Sequence, residues 1–219
     1  MTFSGGFGRV FRPVFDPGLT ALPWYRAGGA PLPVACYQPI RSASLAASYV
    51  NLANPGTYDA APGVAPTFDA ATGWTFNGST TQLTTGLTPG ATGWSLLIAV
   101  SAAGAGGSGA GRAVDNNNVG FGVVPWTGTG GWLVNGATLV FLPPVSALEV
   151  VGFAAKTAYR GGLDIGTIGA GSAPALPLYI GNNSAGSRGL NGKITALVIY
   201  NTTLTAAQVA AVSAAMAAL

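Results

Sequence analysis

The feature that most constrains the fold is a series of short β-type runs separated by turn residues. Such runs include residues 94–100 (WSLLIAV), 148–154 and 193–200 (KITALVIY). About ten of them follow one another between residues 69 and 200, with no helical period among them. Parallel strands need a crossover connection, usually a helix, so this pattern excludes βαβ architecture. The chain is therefore predicted to be all-β, an antiparallel β-sandwich.

Two Asn-Gly pairs mark tight turns within this series. Asn77-Gly78 and Asn135-Gly136 each stand between two β-type runs, a pattern typical of two-residue hairpins. The run at 94–100 shows no polar alternation, which predicts a central strand covered on both faces. Residues 54–66 contain Pro and Gly without a strand pattern and are predicted to form a long loop.

One helix is specified by the sequence, at residues 205–217. Thr205 is a favoured N-cap residue and Gln208 follows three positions later, which together form a capping box. Leu204 and Val209 occupy the positions of a hydrophobic staple. Apolar residues then recur at spacings of three and four, which predicts a stripe that packs on a sheet: Val209, Val212, Met216 and Leu219.

Residues 1–41 differ from the rest of the chain in composition and charge. They are rich in Pro and Gly, which predicts an extended, irregular conformation. Four arginines and one aspartate there account for the whole net charge of +3. The arginines are sparse and interleaved with aromatic residues, which favours a protein partner over nucleic acid. We therefore predict an N-terminal docking arm at 1–41 and a sandwich at 42–219, with arm contacts from Phe7, Arg9, Phe11, Arg12 and Phe15.

Charged residues make up only 7% of the chain, against about 25% in an ordinary soluble domain. The surface must then be largely neutral, which suits a subunit packed among copies or partners. A monomer coated with Ser, Thr and Asn is the alternative. The chain has no His, and Glu149 is its single Glu. Ser-His-Asp catalysis and paired-carboxylate glycoside hydrolysis therefore lack their residues, and no enzyme is expected.

The segment 176–212 resembles the closing segment of concanavalin A-like, laminin-G-type jelly rolls. In that family a strand ending in IGN precedes a loop, a strand ending in I-Y-N and a short helix start. The matching residues here are Leu190, Gly192, Ile194, Ile199, Tyr200, Asn201, Leu204 and Gln208. Residues 73–87 and 156–162 resemble two further hairpins of the family. The resemblance covers roughly residues 67–212 and implies a jelly-roll sandwich, a fold that hosts many activities.

Two ligand hypotheses follow from residue types. A sugar site needs an aromatic platform beside amide and charged groups, and the candidates are Asn116, Asn118, Trp126, Trp132, Arg160 and Arg188. These tryptophans can equally be packing anchors. Calcium sites on loops are known in laminin-G-type domains, and Asp115 or Asp164 with backbone carbonyls is the candidate here. The alternative at Asp115 is a plain polar turn, and no other cofactor is expected.

The leading expectation for function is a non-enzymatic phage virion subunit, a capsid decoration or tail-associated protein. Its arm would dock on other virion proteins or on copies of itself, with the sandwich exposed. The N-terminus lacks the apolar core of a signal peptide, so synthesis in the host cytoplasm is expected. The alternative is a carbohydrate-binding adhesion module at an extracellular surface that recognises host glycans. Neither nucleic acid nor a membrane is an expected partner.

Overall fold

The computed structural model describes residues 22–90, 93–104, 111–116, 121–125, 131–135, 139–168 and 176–219. In these residues the chain forms a short 3-10 segment, Trp24–Gly29, then β1 (Ala35–Tyr37), α1 (Leu45–Ser48), β2 (Ala61–Val64), β3 (Thr67–Asp69), β4 (Gly73–Asn77), β5 (Gln82–Thr84), β6 (Ser95–Gly104), β7 (Val114–Asp115), β8 (Phe121–Val124), β9 (Gly131–Asn135), β10 (Leu139–Leu142), β11 (Glu149–Ala154), β12 (Thr157–Arg160), β13 (Leu163–Thr167), β14 (Tyr179–Ile180), β15 (Asn191–Tyr200) and α2 (Ala206–Ala217).

The strands form two antiparallel sheets, which confirms the predicted β-sandwich. The first sheet has the order β13-β12-β11-β6-β15-β4-β3, and β1 pairs with β15 beside this path. The second sheet has the order β10-β9-β8-β7-β14-β5-β2. Neighbouring strands are often distant in sequence, because the chain passes repeatedly from one sheet to the other. None of the helices in the described ranges has the length and apolar character that crossing a membrane would require.

The central strands of the first sheet are buried on both faces. Along β6, Leu96, Ile98 and Val100 belong to the core between the two sheets. Leu97 and Ala99 alternate with them and belong to a second core on the opposite face. The side chains of α2 that cover this second core are Val209, Val212 and Met216. The prediction of a central strand covered on both faces is therefore confirmed, and the molecule has three layers: α2, the first sheet and the second sheet.

Helix α2 begins as the capping box predicts. The Thr205 hydroxyl accepts a hydrogen bond from the Gln208 backbone N–H at 3.2 Å, and the Gln208 side-chain oxygen accepts from the Thr205 N–H at 2.9 Å. The Gln208 amide also donates to the Gly29 carbonyl at 3.1 Å. This last bond ties the helix to the 3-10 segment, a contact that sequence spacing does not reveal.

The predicted Asn77-Gly78 hairpin is wrong. The strands on either side, β4 and β5, lie in different sheets, so they do not pair. The Asn77 side-chain oxygen instead accepts hydrogen bonds from the backbone N–H groups of Ser79, Thr80 and Thr81. Because the side chain satisfies these donors locally, the chain turns out of one sheet and enters the other. The Asn-Gly signal therefore marks a turn but not a hairpin here.

Other local predictions have mixed outcomes. The strands around Asn135-Gly136, β9 and β10, pair antiparallel as expected. The resemblance-based hairpin at 156–162 is also confirmed, since β12 and β13 pair across Gly161 and Gly162. The predicted loop at 54–66 is wrong in part, because Ala61–Val64 forms the exposed edge strand β2. An edge position tolerates Pro62, which has no N–H to donate to the ladder.

The described part of the expected arm, residues 22–41, packs on the sandwich. Within it, β1 pairs with β15, and Cys36 lies opposite Val198 in the register. The 3-10 segment contacts α2, and the Tyr200 hydroxyl donates to the Tyr25 carbonyl at 2.6 Å. The division between an arm at 1–41 and a sandwich at 42–219 stays a prediction. The expected docking residues lie outside the described residues, and their role stays a prediction: Phe7, Arg9, Phe11, Arg12 and Phe15.

Asn51 holds the N-terminal segment against the sandwich. Its side chain is fully buried and makes four hydrogen bonds. The side-chain oxygen accepts from the N–H groups of Cys36 at 2.9 Å and Ala53 at 3.1 Å. The side-chain amide donates to the carbonyls of Val34 at 2.9 Å and Thr57 at 2.8 Å. A single side chain thus joins the backbone at the start of β1 to the backbone of residues 53–57.

Asn51→Ala is expected to lower the free energy of unfolding by about 2–4 kcal/mol, because four backbone groups lose their partner. Denaturant unfolding followed by tryptophan fluorescence measures this loss. The exposed Asn54 provides a control, and Asn54→Ala should change stability by no more than about 0.5 kcal/mol. Equal effects of the two substitutions would contradict the anchoring role of Asn51.

Candidate binding pocket between helix α2 and the sheet

A cavity of about 300 Å³ lies between α2 and the β11–β12 pair. We call it the α2 pocket and define it by its lining: Leu148, Glu149, Val150, Arg160, Gly161, Ser213, Ala214 and Ala217. Leu148, Ala214 and Ala217 are exposed, so solvent reaches the cavity. The volume is at the lower end of the range typical of ligand sites, about 300–1,000 Å³. It suits a small ligand or one unit of a larger one.

Two residues of this lining, Glu149 and Arg160, form a two-bond ion pair. Arg160 lies opposite Val151 in the antiparallel register, and Glu149 lies two residues before Val151 on the same strand. Since side chains alternate between the faces of a strand, the carboxylate and the guanidinium share the face of Val151, which belongs to the core between the two sheets and is opposite to α2. Arg160 Nε donates to one Glu149 carboxylate oxygen at 2.5 Å and Nη2 donates to the other at 2.9 Å. Its Nη1 donates to the Pro143 carbonyl at 3.1 Å.

The ion pair holds both groups in their charged forms. The hydrogen bond from Arg160 lowers the pKa of Glu149, and the pair's attraction adds to this against the opposing effect of burial. The same hydrogen bond raises the pKa of Arg160. The two side chains are partly exposed, at 22% for Arg160 and 34% for Glu149. They are therefore accessible from solvent while their mutual orientation is set.

Ser213 supplies a third polar group. The residue is 2% exposed, and its hydroxyl has no hydrogen-bond partner among the described residues. A buried hydroxyl without a partner costs free energy, about 1–3 kcal/mol, so such groups are rare in folded proteins. Ser213 is among the residues that line the α2 pocket. This cavity is therefore a candidate binding site.

The α2 pocket contains one of the six residues predicted for a sugar site, Arg160. Sequence reasoning did not identify Glu149 as a pocket residue. It considered Glu149 only as a catalytic carboxylate, a role for which a second acidic residue is lacking. It also missed Ser213, which belongs to the buried face of α2. A Glu at the start of one strand and an Arg at the end of the next is a usable signal for a cross-strand pair. No pattern in the sequence indicates that Ser213 lacks a partner.

Asn116 and Arg188, two further residues predicted for the sugar site, lie near Arg112 in a different part of the fold. Arg112 is almost fully buried and donates to Asp115 at 2.7 Å. Burial lowers the pKa of Arg112, and Asp115 opposes this effect. Asn116 follows in the chain and is buried, with its side-chain oxygen accepting from the Phe121 N–H at 3.3 Å. The Arg188 carbonyl accepts from the Arg112 backbone N–H at 3.1 Å, which brings Arg188 to the same cluster.

The predicted tryptophan platform is not tested by the structure. Asn118 and Trp126 lie outside the described residues. Trp132 is in β9, opposite Phe141 of β10 and Val124 of β8, but its side chain is outside the described part. Arg160 belongs to the first sheet and Asn116 follows β7 of the second, so the predicted set does not form one site.

The two aspartates considered for calcium lie in different sheets. Asp115 ends β7 and pairs with Arg112, as described above. Asp164 is in β13, where it is exposed and accepts from the Gly166 N–H at 2.8 Å. Within the described ranges, no three acidic, Cys or His side chains stand close enough together to hold a metal ion. The structure therefore does not bring these aspartates into a common site.

No protein-family model matches this chain, and no curated protein matches its sequence. Among solved structures it is similar to a mutant of Trypanosoma rangeli sialidase that displays trans-sialidase activity, with a TM-score of 0.58 and 17% identity over 86% of this chain and 34% of that chain. It is similar to Trypanosoma rangeli sialidase in complex with sialic acid, with a TM-score of 0.57 and 17% identity over 84% and 33% of the two chains. A tryptophan-to-alanine mutant of HCR D/C VPI 5995 gives a TM-score of 0.56 and 10% identity over 84% and 52%.

These likenesses show a shared fold. The neighbours contain β-sandwich domains, in agreement with the two sheets seen here. This chain spans only about a third of the sialidase chains. The shared part is therefore a module of those larger proteins.

Ser213→Ala is expected to raise the free energy of unfolding by about 0.5–2 kcal/mol, because it removes a buried hydroxyl without a partner and Ala favours the helix. Ser48 is a matched control: it is also buried, but its hydroxyl donates to the Leu45 carbonyl at 2.6 Å and accepts from Trp74 Nε1 at 2.7 Å. Ser48→Ala should therefore lower stability. Denaturant unfolding of both variants checks the contrast, and a loss in Ser213→Ala as large as in Ser48→Ala would show that the Ser213 hydroxyl is bonded.

The Glu149–Arg160 pair is expected to stabilise the fold in a pH-dependent way. The pKa of Glu149 is lower in the folded protein than in the unfolded chain, where it is about 4.3. The contribution of the pair to stability is therefore complete above the pKa of the unfolded chain and is lost as the pH falls through the pKa of the folded protein. Wild type should exceed Glu149→Gln by up to about 1 kcal/mol near pH 7. Thermal unfolding between pH 2 and pH 7 measures the difference, which should shrink below pH 4. A difference independent of pH would contradict this account.

Proposed function

We propose that this chain is a carbohydrate-binding module and that the glycan binds in the α2 pocket. The observation that carries the proposal is the cavity beneath α2, whose lining includes the buried Ser213 hydroxyl without a partner among the described residues. Sugars present several hydroxyl groups at fixed spacing, and each can donate and accept hydrogen bonds.

The remaining lining is aliphatic and supplies contact area. Leu148, Val150, Ala214 and Ala217 line the cavity together with Ser213. Ligand sites commonly combine a mainly apolar wall with a few placed polar groups, and the α2 pocket has this composition. Glu149 is the only acidic side chain in the lining, so the two-carboxylate arrangement of glycoside hydrolysis is not available there. The pocket therefore favours binding over hydrolysis.

The similar folds support this proposal. One neighbour is a sialidase in complex with sialic acid, so a protein that contains this fold binds a carbohydrate. The likeness covers about a third of that chain. The virion role remains a prediction, because its docking residues lie outside the described residues.

Ala214→Phe should abolish glycan binding, because a ring on this exposed helix position enters the cavity without removing a polar group. A glycan array identifies the ligand, and isothermal titration calorimetry then measures the variants.

Arg188→Ala is the control for this experiment. Arg188 is exposed and lies outside the α2 pocket, and its substitution should leave affinity unchanged. Loss of binding in Arg188→Ala with retention in Ala214→Phe would move the site to the Arg112 cluster and contradict the proposal. Absence of binding to every glycan on the array would overturn the proposed function itself.

A further inference from the structure

The part of the sheet beneath the α2 pocket presents aliphatic side chains to it. Val150 lies opposite Ala99 in the register, and both belong to the core that α2 covers. Glu149 lies opposite Val100 of the core between the two sheets, so its carboxylate points away from α2. Leu148 precedes Glu149 and, by the same alternation, shares the face of Val150.

Few polar groups on this face are available to a ligand. The Glu149 carboxylate and the Arg160 guanidinium are bonded to each other on the opposite face. The Gly161 N–H donates to the Val150 carbonyl at 2.7 Å, so these two backbone groups are satisfied within the protein. Besides the ion pair, Ser213 is the one polar side chain of the lining. The cavity is therefore mainly aliphatic.

We propose that the α2 pocket takes the methyl group of a sugar unit, carried as a 6-deoxy group or as part of an acetamido group, and that Leu148 determines this preference. The inference rests on the proposed function and names its ligand class. A methyl group in the cavity leaves water and contacts Leu148, Ala214 and Ala217, which favours binding. A hydroxymethyl group in the same place also buries a hydroxyl, and a buried hydroxyl without a partner disfavours binding.

The test uses two pairs of methyl glycosides, one for each source of the methyl group. Methyl α-L-fucopyranoside is compared with methyl α-L-galactopyranoside, which differs only by a hydroxyl at C6. Methyl N-acetyl-β-D-glucosaminide is compared with methyl β-D-glucopyranoside, which has a hydroxyl in place of the acetamido group. Calorimetry measures the four affinities. In at least one pair the wild type should prefer the methyl-bearing sugar by about tenfold or more, and that pair identifies the source.

Leu148→Asn tests the residue that determines the preference. The substitution replaces an aliphatic wall of the pocket with an amide that bonds to hydroxyls, so the preference should fall towards one. Leu163→Asn is the matched control, because it makes the same change at an exposed leucine outside the pocket and should keep the wild-type preference. Both leucines are exposed, so both variants should fold.

The outcomes separate this inference from the proposed function. Equal or tighter binding of the hydroxyl-bearing sugar in both pairs overturns the inference and leaves glycan binding intact. An unchanged preference in Leu148→Asn also overturns it, because the methyl group would then bind elsewhere. Absence of binding by all four glycosides overturns it as well, and a negative glycan array in addition would remove the proposed function itself.

Discussion

The fold depends on the two long strands β6 and β15 being apolar on both faces. They pair with each other through most of their length, and their side chains alternate between two separate cores. One sheet opposite them can cover only one face. The other face has to be covered by something else, because exposing it would leave a large apolar surface in water. Helix α2 and the 3-10 segment provide that cover.

The α2 pocket is a consequence of this second layer. A cylinder on a twisted sheet makes close contact along a line, and gaps remain where the sheet turns away from it. The pocket occupies such a gap, between the last turns of α2 and the neighbouring ends of β11 and β12. Small residues of α2 face it, Ser213, Ala214 and Ala217, and they leave the space open. The wide aliphatic side chains that seal the layer elsewhere, such as Val212 and Met216, lie to its side in the second core.

The N-terminal segment shows how weak local signals are overridden by tertiary contacts. Residues 35–37 are flanked by prolines and have little strand pattern of their own, yet they form β1 on the edge of β15. The buried Asn51 side chain stabilises this strand from a later part of the chain. The same holds for Ala61–Val64, a strand only because β5 offers an edge to pair with. The sequence pattern does not predict strands at such sites, because the neighbouring strand provides the hydrogen bonds that hold the segment extended.

Spacing and residue type in the sequence predict the all-β class, the central strand at 94–100, the β12–β13 hairpin and the capped helix. These features depend on interactions between residues close together in the chain. Three other features follow only from tertiary packing: β4 and β5 separate into different sheets, Asn51 closes on β1, and the Ser213 hydroxyl is buried beside the α2 pocket. The physical reason is that burial and hydrogen-bond satisfaction are properties of the packed molecule. The Ser213 hydroxyl is buried only once α2 packs on the first sheet.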